Sequence, residues 1–89
     1  MAWTVELSDL ALKNLDQLDR QVACRILKFL SERVSCLDDP RCIGQALQGH
    51  RLGSLWKYRV GDYRIIASIE DSKMLVLVVR VGHRQEVYR

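Results

Sequence analysis

The sequence predicts an α+β domain: a small antiparallel sheet of about four strands with an N-terminal helical hairpin packed on one face, in the order β-α-α-β-β-β. Three observations carry this. Between Val22 and Leu37, apolar residues recur at three- and four-residue steps, the spacing of one face of a helix. From Leu55 to Ile69 the chain alternates apolar and polar residues around Gly61-Asp62, a hairpin signal with Gly at the first turn position. Met74 to Val81 is nearly all apolar, as befits an interior strand with a neighbour on each side.

Along the chain, Ala2 to Leu7 alternates with Trp3, Val5 and Leu7 on one face and reads as an opening strand. Ser8 is placed to cap a short helix running to about Gln17, with Leu7 and Leu12 as its hydrophobic staple. Asp19 caps the second helix, whose inner stripe is Val22, Ile26, Phe29, Leu30, Arg33, Val34 and Leu37, with Arg25, Lys28 and Glu32 on the opposite side. Asp38-Asp39-Pro40 ends it and starts a single turn, with Asp39 as cap and Pro40 at the first helical position. Arg41 to Ser54, with Gly44, Gly49 and Gly53 and little periodicity, reads as a connecting loop anchored by Leu47 and Leu52. After the hairpin, Glu70-Asp71-Ser72-Lys73 is a polar turn, and the apolar strand that follows is expected between the opening strand and the Tyr63–Ile69 strand.

Eighty-nine residues make a single domain, 1–89, and chains of this size bury only about 60–65% of their unfolded surface, so the core must be efficient. A hydrophobic content of 48% with 28% charged residues fits a globular protein rather than a disordered one. Cys24, Cys36 and Cys42 are odd in number and match no C-x-x-C pattern, which argues against a disulfide framework or a zinc site and leaves them as reduced, small hydrophobic residues. No apolar run approaches the ~20 residues that span a bilayer, and the first residues lack the order of a secretion signal, so the expected compartment is the cytoplasm. The formal net charge of +3 is unevenly spread. Residues 1–49 hold six Lys/Arg against seven Asp/Glu and residues 50–89 hold eight against four, so the excess positive charge travels with the strands.

A two-residue loop at Gly61-Asp62 sets Val60 opposite Tyr63, Arg59 opposite Arg64, Tyr58 opposite Ile65 and Lys57 opposite Ile66. Strand alternation then sends Trp56, Tyr58, Val60, Tyr63 and Ile65 to the core face and Lys57, Arg59 and Arg64 to the other. Like charges directly opposed on a sheet cost roughly 0.2–1 kcal/mol per pair. No carboxylate lies on that face within the hairpin to offset them, which points to a site for an anion, phosphate above all. Regular alternation adds Ile66, Leu75, Leu77 and Val79 to that face, giving an apolar floor with cations at one end, a usual composition for a binding site.

The string from Leu55 to Ile66, followed by an apolar strand and Val81-Gly82-His83-Arg84-x-x-Val87-Tyr88, resembles the RelE branch of the RelE/ParE toxin superfamily. Pro40-Arg41 and Leu47-x-Gly49 add to the likeness, which covers essentially the whole chain. The resemblance implies the toxin of a type II toxin–antitoxin system that cleaves messenger RNA in the ribosomal A site by attack of a ribose 2′-hydroxyl on the adjacent phosphate. It implies no metal and no cofactor, the chemistry resting on basic side chains and a C-terminal tyrosine. Carried over by motif, Arg64 and Arg84 hold the phosphate, Lys57 and Arg59 are the remaining cations of the catalytic set, and Tyr88 stacks on or orients a nucleotide. His83 stands where these toxins often have Lys and is a candidate substrate contact. The implied partners are a RelB-like antitoxin, the ribosome with its message, and operator DNA only through the antitoxin; no membrane is implied.

Blander readings stand beside these. Lys57 and Arg59 also suit a solvated edge strand, Arg84 an ion pair with Glu86, Tyr88 a packed terminal aromatic, and His83 a structural contact. A ParE-like inhibitor of DNA gyrase would use the same fold without a nuclease site, and a simple nucleic-acid-binding module would bind phosphate without cutting it.

Overall fold

The computed structural model describes residues 3–35, 39–46 and 55–83. Strand β1 (Thr4–Leu7) turns Val5 and Leu7 toward the core and leaves Thr4 and Glu6 exposed. At its end the Ser8 hydroxyl accepts from the Ala11 N–H at 3.1 Å and donates to the Val79 carbonyl at 3.1 Å. One side chain thereby caps helix α1 (Asp9–Asp16) and pins it to the sheet. This helix buries Ala11 and Leu15. Leu12, expected to staple against Leu7, is 50% exposed, because Ala11 and Leu15 take the sheet-facing side.

Helix α2 (Arg20–Phe29) starts where the Asp19 carboxylate accepts from the Gln21 N–H at 3.2 Å. It runs on as one π turn over Leu30–Val34, where the Ser35 N–H donates to the Leu30 carbonyl at 3.0 Å. Ile26, Leu30 and Val34 are all buried at four-residue steps. Such steps drift around a helix of 3.6 residues per turn, and the wider π turn brings Val34 back onto the core side. Arg33, placed on the inner stripe by sequence, is exposed; Leu37 lies outside the described residues. Ser35 then fastens the helix end to β1, its Oγ donating to the Trp3 carbonyl at 2.9 Å while its own carbonyl accepts from the Trp3 N–H at 2.9 Å.

The remaining strands are β2 (Gln45–Ala46), β3 (Leu55–Val60), β4 (Tyr63–Glu70) and β5 (Leu75–His83), and the sheet order is β1-β5-β4-β3-β2. Two features correct the expectation of about four antiparallel strands. First, β1 pairs with β5 in parallel. Short hairpins force antiparallel neighbours, whereas the two helices after β1 form a crossover that lets a later strand lie alongside in the same direction. Second, β2 falls in the stretch read as a loop, since two residues are too few to show periodicity. Leu47 and Leu52 lie outside the described residues.

The β3–β4 register is Val60 with Tyr63, Arg59 with Arg64, Tyr58 with Ile65 and Lys57 with Ile66, as the two-residue loop requires. Gly61 alone in that loop takes a positive φ, +58°, the pattern of a type II′ turn. Between β4 and β5 the register breaks: Ile66 faces Arg80 and Ala67 faces Val78, leaving Val79 as the extra residue of a β-bulge. Regular alternation put Val79 on the face of Arg64 and so Arg80 on the core side. The bulge resets the parity, bringing Arg80 and Gly82 into line with Ile66 and Arg64 and burying Val81.

The core lies between the helices and one face of the sheet, where Tyr58, Ile65, Ala67, Val76, Val78 and Val81 meet Ile26, Leu30 and Val34. Trp56, Val60 and Tyr63 pack against it. Cys24 and Cys42 are free but exposed, not the packed hydrophobic residues expected, and Cys36 lies outside the described residues. Their exposure follows from position, one on the outer side of α2 and one in the turn before β2. No described helix is long and apolar enough to cross a membrane.

Candidate functional site: a basic sheet face

The face of the sheet without helices carries the cations. Lys57, Arg59 and Arg64 share one pocket of about 360 Å³, walled by Ile43 and Gln45. Lys57 and Arg59 lie two residues apart on β3, and Arg64 stands directly opposite Arg59. β2 adds Gln45 by pairing it with Lys57. No carboxylate lines this pocket among the described residues. The ion pairs that are described, Arg41 with Asp39 and Asp71 and Lys73 with Glu70, sit toward the opposite end of β4.

Arg64 is held at the hairpin turn, its Nη1 donating to the carbonyls of Gly61 at 3.2 Å and Tyr63 at 3.1 Å. Those bonds leave the rest of the guanidinium fork to the pocket, and such a fork matches two oxygens of a phosphate at once.

The wall of Ile43 and Gln45 is fixed from behind. Asp39 caps a 3₁₀ turn over Pro40–Ile43, accepting from the Arg41 N–H at 3.0 Å. The Arg41 guanidinium grips Asp71 with two bonds, at 2.6 and 3.0 Å, and lies 5.7 Å from the centre of the Trp56 ring. Its hydrogen bonds hold the Asp71 carboxyl below its ordinary range. Beneath the turn, the buried Tyr58 hydroxyl donates to the Pro40 carbonyl at 2.6 Å, and burial pushes its pKa up to about 12. A Cβ at Gly44 would come within 3.1 Å of the Tyr58 ring, so any larger residue there must push that ring aside by a few tenths of an ångström.

Of the other residues singled out by sequence, His83 pairs with Tyr63 and meets its ring edge-on at 5.7 Å. It lines a separate cleft of about 210 Å³ on the outer edge of β5, shared with Asn14 and Arg80. There the Asn14 Oδ1 accepts from the Val81 N–H at 3.0 Å. Arg84 and Tyr88 lie outside the described residues. Among the described residues, no group of three or more His, Cys, Asp or Glu is gathered that would hold a metal.

Two features escaped the sequence reading. The bulge sets Arg80 in register with Ile66, and Arg80 borders the cleft between the end of α1 and β5; its signal was that it is the lone cation in an apolar strand. A second basic groove, about 370 Å³, runs between α2 and the hairpin, where Arg25, Lys28 and Arg33 face Arg59 with Glu32 among them. Arg59 lines both pockets, so the near-neutral first half of the chain adds three cations beside the hairpin.

The fold and the cation-bearing sheet define a small α+β protein of the RelE/ParE superfamily. The model of the ParE toxin of type II toxin–antitoxin systems matches residues 5–88, and the chain belongs to this family. It is 32% identical over 90 residues to the mRNA interferase toxin RelE of Escherichia coli strain K12, covering 99% of this chain and 92% of that protein. It is 28% identical to toxin RelG of Mycobacterium tuberculosis over 89 residues, covering 100% of this chain and 99% of that one. Among solved structures, the RelBE2 toxin–antitoxin complex of M. tuberculosis matches with a TM-score of 0.84 at 26% identity, covering 97% of this chain and 95% of the other. The intact E. coli RelBE complex matches at 0.72 and 26%, covering 92% and 96%.

Proposed function

We propose that this toxin cleaves messenger RNA held in the ribosomal A site. The observation that carries the reading is the gathering of Lys57, Arg59 and Arg64 in one pocket on the open sheet face, which among the described residues no carboxylate lines. A relative named as an mRNA interferase supports it. In the proposed reaction the ribose 2′-oxygen gives up its proton and bonds to the adjacent phosphorus, the bond to the 5′-oxygen breaks, and that oxygen leaves as a hydroxyl. The message is left with a 2′,3′-cyclic phosphate, and no redox partner or metal enters the balance.

Negative charge builds on the phosphate oxygens during attack. The fixed Arg64 guanidinium stabilises it with little reorganisation, which is where electrostatic catalysis is strongest. Lys57 and Arg59 supply the flanking charge, and by resemblance Arg84 and Tyr88 complete the site. The expected partner is a RelB-like antitoxin, as in the RelBE complexes, with operator DNA reached only through it.

Primer extension on a translated message tests the reading. A cut that needs both ribosome and wild-type chain, and that the Arg64→Ala/Arg84→Ala variant cannot make, is the expected result. Undiminished cleavage by that variant overturns it. The ParE family match keeps a ParE-like toxin as a second reading; by that resemblance it would inhibit DNA gyrase, and loss of supercoiling activity on adding the purified protein would select it.

A further inference from the structure

We propose that Arg80, which no motif marks, is a further substrate-binding residue of this site and grips a message phosphate neighbouring the scissile one. The inference rests on the nuclease reading and on the bulge. With Val79 as the extra residue, Arg80 lies directly opposite Ile66, which lies directly opposite Lys57, and residues so paired share a face. Arg80 is therefore the diagonal neighbour of Arg64 across β4 and β5, at a Cα separation of about 7–8 Å.

The position between them is open. The residue directly opposite Arg64 is Gly82, which has no side chain, so no group of β5 stands between the two guanidinium groups. Ile66 is 5% exposed although it lies outside the helix-side core, as expected of a residue flanked in register by the long stems of Lys57 and Arg80. The nearest carboxylate in register on this face is Glu6, opposite Leu77, and among the described residues no ion pair joins any acid to Arg80. Bulges re-aim side chains next to active sites. Here the bulge moves one positive charge from the apolar side of the sheet to the basic side. Arg80 also borders the cleft at the β5 edge, so the strand it holds would leave the sheet on that side, away from Arg59.

The test compares wild type, Arg80→Ala, Arg80→Lys and Arg64→Ala on ribosomes programmed with a defined message. Single-turnover cleavage and binding to a message 2′-O-methylated at the cut are both measured across a salt series. Arg80→Ala should lose on the order of 10-fold to 100-fold in cleavage, the loss expected for one charge-assisted partner. Its salt slope for binding should fall in magnitude by about 0.7, one phosphate contact. Arg80→Lys, which keeps a stem over Ile66, should recover part of both and leave the melting temperature unmoved. Cleavage and slope equal to wild type, while Arg64→Ala is inactive, would overturn the role of Arg80 and leave the nuclease reading standing. A slope difference that persists on ribosomes without message would also overturn it, assigning Arg80 to ribosomal RNA. Should the wild type fail to cut, the nuclease reading fails by itself, and the slope on message-bearing ribosomes still decides whether Arg80 holds phosphate.

Discussion

Ile65 and Ile66 are neighbours on one strand with opposite surroundings. Ile65 points at the helices and is fully buried among Tyr58, Ala67 and Val81; Ile66 points the other way and sits in register between Lys57 and Arg80. The two faces of this sheet come from the same alternating strands. What separates them is cover, since helices shield one face and charged stems border the other. A face without a helical layer can hold cations that the covered face would exclude, because a charge there keeps access to water and counterions.

The sharpest way to break this contrast is the same substitution at both positions. Ile65→Glu buries an unpaired carboxylate and should leave no cooperative thermal transition. Ile66→Glu should fold, because Lys57 and Arg80 stand on either side of it, and should lose cleavage by neutralising the site. Equal damage to folding from both would show that the open face is as closed as the core. Next in size, Arg64→Ala should lower cleavage by on the order of 10²–10³ with an unchanged melting temperature, the loss typical of one preorganised donor. A parallel drop in stability would recast Arg64 as a fastener of the hairpin.

Tyr58→Phe probes the boundary between the faces, since the hydroxyl carries the wall of the basic pocket from the core side. Leaving the Pro40 carbonyl without its partner should cost about 1–3 kcal/mol in chemical denaturation. Because the folded pKa, about 12, lies above the ordinary tyrosine value of 10.0, this contribution is fully present below pH 10 and is lost as pH rises toward 12. Tyr58→Phe should flatten that alkaline limb of the stability curve. Smallest is Arg41→Ala, which removes an exposed grip on Asp71. A slight destabilisation that vanishes in high salt is expected, and that grip should also weaken in acid, since Asp71 titrates below its ordinary value.

Much of this was legible in residue order. The hairpin register followed from Gly61-Asp62, because a two-residue loop permits one pairing. The caps at Ser8, Asp19 and Asp39 followed from the short polar side chains that satisfy free N–H groups at helix starts. The grouping of Lys57, Arg59 and Arg64 needed only alternation and that register. That β5 lies between β1 and β4 followed from its being apolar on both faces, but the parallel direction of the β1–β5 pair was not legible, because nothing local to Thr4–Leu7 states which way it will run beside its neighbour. Nor was the groove at Arg25, Lys28 and Arg33, since a solvated helix face reads alike whether or not a hairpin stands next to it.

By itself, then, the sequence determined the elements, their caps and the inner and outer sides of the hairpin, all of which depend on residues within a few positions of one another. Only the tertiary structure decided the direction of β1, the place of β2, and the bulge that turns Arg80 from one side of the sheet to the other. Each of these depends on how strands far apart in sequence settle against one another, and a single unpaired residue there reverses every side chain that follows.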